Sequence, residues 1–250
     1  MGKLQDKITI VTGAASGIGQ ACAELFAEEG AKVVVADIQD EPGQKIADAL
    51  GGMYLHVDVS DPASVEAMIQ STVDRYGRID ILMNNAGIES EPALTGDSSI
   101  ENWKRVTSID LDGVYYGMKY VIPVMVAQKG GVILNTGSTM GLNALPSMPA
   151  YCAAKAGIIH LSKVVAIEYA FHNIRVNAIC PSVVDTPLLK GLIASTPDPK
   201  ATRAGFESMN PMPGIVSLEA VASAALFLVS NDSAFITAVE LPIDGGFTAR

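Results

Sequence analysis

The stretch AYCAAKAG, residues 150 to 157, places Tyr151 and Lys155 four apart, on one face of a helix that Ala153, Ala154 and Ala156 favour. A phenol one turn from an ammonium has the makings of proton-transfer chemistry, because a nearby cation lowers the pKa of a tyrosine that otherwise titrates at about 10. Spacing alone does not establish it: in YYGMK, Tyr115 and Lys119 stand the same distance apart. What separates the two pairs is Ser138, thirteen residues before Tyr151 in NTGSTMG. It follows an apolar run at residues 131 to 136, at the carboxyl end of a strand, where an open α/β sheet binds its ligands. No serine is placed to converge on Tyr115 and Lys119, which are expected to pack a helix face within the protein or against another subunit.

The elements that must position these groups recur along the chain. Seven short apolar runs, at residues 7 to 12, 32 to 37, 53 to 58, 80 to 85, 131 to 136, 174 to 179 and 238 to 244, alternate with helical stretches. Most are nearly continuous in hydrophobicity, as parallel strands covered on both faces must be. The pattern predicts a doubly wound α/β sheet, and the absence of a repeat or a shift in composition predicts one domain over residues 1 to 250. Residues 186 to 215 stand apart: five prolines and three glycines among scattered Leu, Ile, Phe and Met suit a cover over a site better than a strand or a long helix.

After the first run comes TGAASGIG, with Gly13, Gly17 and Gly19 where strand should turn into helix. Such a turn lets a pyrophosphate approach the free amides of a helix N-terminus. The second run ends in Asp37, twenty-four residues after Gly13, in the place of an acid that accepts hydrogen bonds from an adenosine ribose. Asp37 would repel a 2′-phosphate, and neither Ala15 nor Ile38 offers a cation to receive one, so NAD is expected rather than NADP. Asp58, at the end of the third run, is a candidate for the adenine or else a turn residue.

Composition removes other classes. Seventeen Lys and Arg against 27 Asp and Glu give a formal charge of −10, with no basic run, so nucleic acid is not an expected partner. The apolar runs look too short for a membrane span and the N-terminus lacks a signal-peptide pattern, from which a cytoplasmic address is expected. Three cysteines without CxxC spacing and three histidines without a ligand pattern indicate neither a disulfide framework nor a metal site. Cys152, beside Tyr151, is read as a small helix residue.

TGAASGIG, NNAG (Asn84 to Gly87), Ser138 with YCAAK, and NAICPSVVDT together resemble, in order and spacing, the short-chain dehydrogenase/reductase family, from about residue 5 to the DGG of Asp244 to Gly246. The resemblance implies a Rossmann fold with seven parallel strands and helices on both faces, a homotetramer, and hydride transfer between a nicotinamide and an alcohol or carbonyl carbon. It makes Tyr151 the acid–base group, Lys155 the cation that lowers its pKa and holds the nicotinamide ribose, and Ser138 the donor to the substrate oxygen. Gly13, Ser16, Gly17, Ile18, Gly19, Asp37, Ile38, Asp58, Val59, Asn85, Ala86, Gly87, Pro181, Val184 and Thr186, with Tyr151 and Lys155, are implied to line the cofactor.

Two positions depart from the family pattern. Asp110 stands where the family has asparagine, on a helix kink that leads a water to the lysine, and it joins the catalytic set here with that role expected to be retained. Ser182 replaces the usual glycine after Pro181, so either the backbone is ordinary there or the nicotinamide loop sits differently. Thr139, Met140, Leu142 and Leu145, with Leu188, Leu189, Leu192, Ile193, Phe206 and Met209 of the cover, suit a neutral, mostly apolar secondary alcohol or ketone. Lys190, Lys200 and Arg203 offer an anionic tail an alternative. A 3-oxoacyl-carrier-protein reductase shares these motifs, and a scaffold that kept the fold without turnover is the rival from another class. A serine hydrolase is disfavoured, since no GxSxG surrounds Ser138.

Overall fold

The computed structural model describes residues 2 to 249. Each apolar run becomes a strand: β1 (Ile8–Thr12), β2 (Lys32–Asp37), β3 (Met53–His56), β4 (Ile81–Asn84), β5 (Gly131–Thr136), β6 (Ile174–Pro181) and β7 (Glu240–Ile243). They pair in parallel in the order β3-β2-β1-β4-β5-β6-β7, so the winding reverses between β1 and β4. The helices are α1 (Gly17–Glu28), α2 (Asp40–Leu50), α3 (Pro62–Tyr76), α4 (Ile100–Thr107), α5 (Gly113–Ala127), α6 (Pro149–Tyr169), α7 (Pro187–Ala194), α8 (Pro199–Glu207) and α9 (Leu218–Val229).

Side chains alternate across a strand, so a strand buried on both faces feeds two apolar layers. Val11, Val35, Met83 and Leu134 pack with Phe26 of α1 and Val221 of α9 on one face. Their neighbours Ile10, Val34, Leu82 and Ile133 pack with Met68, Met118 and Ile158 of α3, α5 and α6 on the other. This two-layer cover explains why the runs are apolar throughout rather than at every second residue.

Three details bear on the site. The third strand ends at His56, two residues before Asp58. Between α4 and α5 the chain makes one π-helical turn, Ser108–Asp112, which carries Asp110 inward. The cover folds as two short helices, α7 and α8, each begun by a proline and capped by the side chain of Thr186 or Asp198. One expectation is corrected: with its extension to His172, α6 reaches the length and apolarity of a membrane span. Here Ala154, Ile158, Val165 and Ala166 of that helix are buried in the protein, because one face of it lies on the sheet.

Candidate active site

β1 ends at Thr12 and the chain turns at Gly13, whose φ of 64° and lack of a Cβ are both required, since a Cβ there would lie 2.8 Å from Ala86 Cα. α1 then starts at Gly17 with no side-chain cap from Ser16, leaving its first amides available to an anion. Gly13, Ser16, Gly17 and Ile18 line a cavity of about 820 Å³ over the strand ends. Gly19 is not among the residues lining it. Its missing Cβ makes room for the Gly13 carbonyl, 2.1 Å from where that atom would sit, so it packs α1 against β1.

At one end of the cavity stand Asp37, Ile38, Asp58 and Val59. The Asp37 carboxylate is 7% exposed and accepts hydrogen bonds from Ala15 N at 2.9 Å and Gln39 N at 3.0 Å. The first bond ties β2 to the glycine turn, and the second is local, at the start of α2. The Asp58 carboxylate is engaged locally, accepting from Ser60 N and Ser60 Oγ at 2.9 and 2.7 Å, so its turn role is realised while it lines the wall. Among the described residues, Lys155 is the one Lys or Arg that lines this cavity.

Asn85, Ala86 and Gly87 form the middle of the floor. Asn85 is itself a brace: its Nδ2 donates to Thr12 O at 3.1 Å, and Thr12 Oγ1 accepts from Asn85 N and Ala86 N. Pro181, Val184 and Thr186 face them from the end of β6. Ser182 has no positive φ, so the glycine of the family pattern is not needed here for its backbone freedom. Its hydroxyl donates instead to Asn210 Oδ1 at 3.0 Å, joining the β6 loop to the far end of the cover.

Ser138, Tyr151 and Lys155 converge at the other end, beside Asp110. Lys155 Nζ is 5.3 Å from the Tyr151 ring centre, donates to Thr136 O at 3.2 Å and lies 3.1 Å from Asp110 Oδ2. Asp110 is wholly buried, and its other oxygen accepts from Ile88 N at 2.9 Å. Asp110 and Lys155 thus form a direct, buried ion pair. Burial holds the Tyr151 phenol above its ordinary value; Lys155 acts against that shift and Asp110 adds to it. Burial also works to strip the proton from Lys155, and Asp110 and Tyr151 outweigh it, so the ammonium is held above its usual value. Ser138 Oγ accepts from Met140 N at 3.1 Å, which fixes the hydroxyl at the strand end.

Thr139, Met140, Leu145, Leu188 and Leu189 line this end as expected, as do Leu192, Phe206 and Met209. Leu142 and Ile193 turn away from it, and Leu142 packs on Ile159 and Cys180. Lys190 and Arg203 are drawn to Asp185, at 3.4 and 3.6 Å, and with Lys200 lie outside the cavity. Sequence reading missed the loop after β4, where Ile88, Glu89, Ser90 and Pro92 form a wall, although it continues directly from NNAG. Tyr115 and Lys119 are exposed on α5, outside the cavity. Cys152 lies outside it too.

A family model described as enoyl-(acyl carrier protein) reductase matches residues 13–248. Cyclohexanol dehydrogenase of Acinetobacter sp. (strain SE19) is 36% identical over 99% of this chain and 97% of its own length. The 3-oxoacyl-[acyl-carrier-protein] reductase FabG of Thermotoga maritima is 37% identical over 98% of each. The crystal structure of levodione reductase superposes with a TM-score of 0.93 at 33% identity, covering 98% of this chain and 99% of that one. The chain belongs to the short-chain dehydrogenase/reductase family and is an oxidoreductase of that fold. The open amides of α1, the glycine floor and the unbroken cavity from Asp37 to Tyr151 fit the nicotinamide dinucleotide that the family uses.

Proposed function

We propose that the protein interconverts a secondary alcohol and a ketone with NAD(H), on small to medium apolar substrates, cyclic or aryl. The observation that carries this reading is the meeting of Ser138, Tyr151 and Lys155 at the foot of an apolar chamber, in one cavity with the glycine turn. When bound, the dinucleotide supplies the hydride acceptor or donor. Ser138 Oγ holds the substrate oxygen, Tyr151 takes the hydroxyl proton as the carbon gives up its hydride, and the Lys155 ammonium stabilises the phenolate so formed. In reduction the same phenol returns the proton to the carbonyl oxygen. Asp37, with no cation near it in the cavity wall, favours a free ribose over a 2′-phosphate. A homotetramer in the cytoplasm completes the proposal.

The rival is a 3-oxoacyl-carrier-protein reductase, which the Thermotoga maritima relative keeps open. A net charge of −10 is poorly matched to an acidic carrier. The test is turnover followed by NADH and NADPH absorbance over cyclic, aryl and aliphatic secondary alcohols and ketones, with a 3-oxoacyl thioester alongside. Oxidation of cyclic or aryl alcohols with NAD, abolished in Tyr151→Phe, is expected. Activity confined to the thioester would establish the rival, a strong NADPH preference would overturn the role of Asp37, and full turnover by Tyr151→Phe would overturn the mechanism.

A further inference from the structure

The Asp110–Lys155 pair is the most deeply buried ion pair in the described residues, with side chains 0% and 5% exposed. Asp110 is brought there by the π-helical turn, and Gly87 leaves the space it occupies: a Cβ on Gly87 would lie 3.1 Å from Asp110 Oδ2 and 3.3 Å from Lys155 Nζ. Oδ2 has no hydrogen-bond partner besides the lysine. Asp110 borders the cavity, but it is 0% exposed, with one carboxylate oxygen accepting from Ile88 N and the other facing Lys155 Nζ, so it acts through Lys155, as a positioning residue.

We infer that Asp110 is the resident counter-ion of Lys155, and that its charge displaces toward alkaline pH the whole range over which this enzyme oxidises alcohols. The inference rests on the Tyr151 mechanism proposed above. That mechanism needs phenolate and ammonium together, so the acidic limb of the profile follows ionisation of Tyr151 and the alkaline limb follows loss of the Lys155 proton. A negative charge beside both groups makes each hold its proton longer, so both limbs move the same way. The other groups that act on Tyr151 are Ser138 and Glu89. Cys180 faces Lys155 from β6, and burial pushes its thiol up to about 12, leaving it neutral in the working range. The charged residues of α4, Glu101, Lys104 and Arg105, are exposed, as is Asp112. Among the described residues only Asp110 supplies a second buried charge at the pair.

The experiment is the pH profile of kcat and kcat/KM for alcohol oxidation in wild type, Asp110→Asn and Asp110→Ala, with a tyrosinate absorbance titration of the free enzyme. Both limbs are expected to move to lower pH, by about 1 to 3 units, in either variant, since both remove the charge. In the wild type, the absorbance change that Tyr151→Phe removes is expected above pH of about 10, and this needs no variant at position 110 to fold. Limbs that stay in place while kcat falls, limbs that move toward alkaline pH, or a Tyr151 change below the ordinary phenol range would each overturn the counter-ion. Loss of turnover in Tyr151→Phe with unmoved limbs in Asp110→Asn would remove the inference and leave the mechanism standing.

Discussion

The Ser182 hydroxyl lies 3.0 Å from Asn210 Oδ1, and Asn210 in turn donates from Nδ2 to Gly214 O at 3.2 Å. A side chain at the end of β6 thus holds the far end of the cover, at a position where the family pattern places a glycine that has no side chain to do so. Removing the hydroxyl loses one hydrogen bond, about 1 kcal/mol, and leaves the 5% exposed Asn210 short of a partner. Ser182→Ala and Ser182→Gly are both expected to raise KM for the alcohol about fivefold with little change in kcat. If Ser182→Gly matched wild type while Ser182→Ala lost affinity, backbone freedom rather than the hydroxyl would be what matters there.

Asp37 accepts two backbone amide hydrogen bonds, from Ala15 N of the glycine turn and Gln39 N before α2, as well as making its proposed ribose contact. Charged hydrogen bonds of this kind are worth about 1.5–3 kcal/mol each, so Asp37→Ala should lower kcat/KM with NAD by about tenfold to a hundredfold. With the carboxylate gone, NADP should lose far less or gain. Steady-state kinetics with both cofactors checks this, and an unchanged NAD to NADP ratio would refute selection by Asp37.

The chamber's charge should sort substrates. Glu89 lines it, whereas Lys190 and Arg203 are engaged by Asp185 outside. A 4-hydroxycyclohexanecarboxylate is therefore expected to have kcat/KM at least about tenfold below 4-methylcyclohexanol, from repulsion and desolvation of its carboxylate. Glu89→Gln should narrow the gap. A preference for the acid in the wild type would mean that a cover cation swings inward on binding.

Cys22 and Cys180 are buried, and burial pushes both thiols from 9.0 up to about 12. The unfolded chain therefore gives up these protons first, and the stability the neutral thiols confer is complete below pH 9 and is lost as pH rises toward 12. Melting temperature should fall progressively above pH 9, and the Cys22→Ala, Cys180→Ala double variant should show a shallower fall. Equal slopes would assign the alkaline loss to other groups. At neutral pH, a thiol reagent should modify Cys152, which is partly exposed, and spare the buried pair.

Much of the fold was legible because a parallel strand covered on both faces has to be apolar at consecutive positions, and residues 8 to 12 and 32 to 37 leave little choice. The glycine turn was legible for a similar reason, since Gly13 occupies a backbone region closed to most residues. The close packing of Gly19 on the Gly13 carbonyl was not legible, because a glycine kept for close packing and one kept for a ligand look alike in a sequence. The wall from Ile88 to Pro92 was missed because a loop without periodicity carries no sign of what it faces.

The sequence by itself determined the alternation of strand and helix, the order of the motifs and the pairing of Tyr151 with Lys155, because these rest on local spacing and on which residues can be buried. Tertiary structure alone decided that Asp110 touches Lys155 directly, that Ser182 anchors the cover and that the cover's cations turn toward Asp185. These contacts of 3 to 4 Å join groups from 5 residues apart, Asp185 and Lys190, to 45 residues apart, Asp110 and Lys155, and no local pattern fixes such distances. They depend on how a π-helical turn, a strand end and two short helices are stacked over the same cavity.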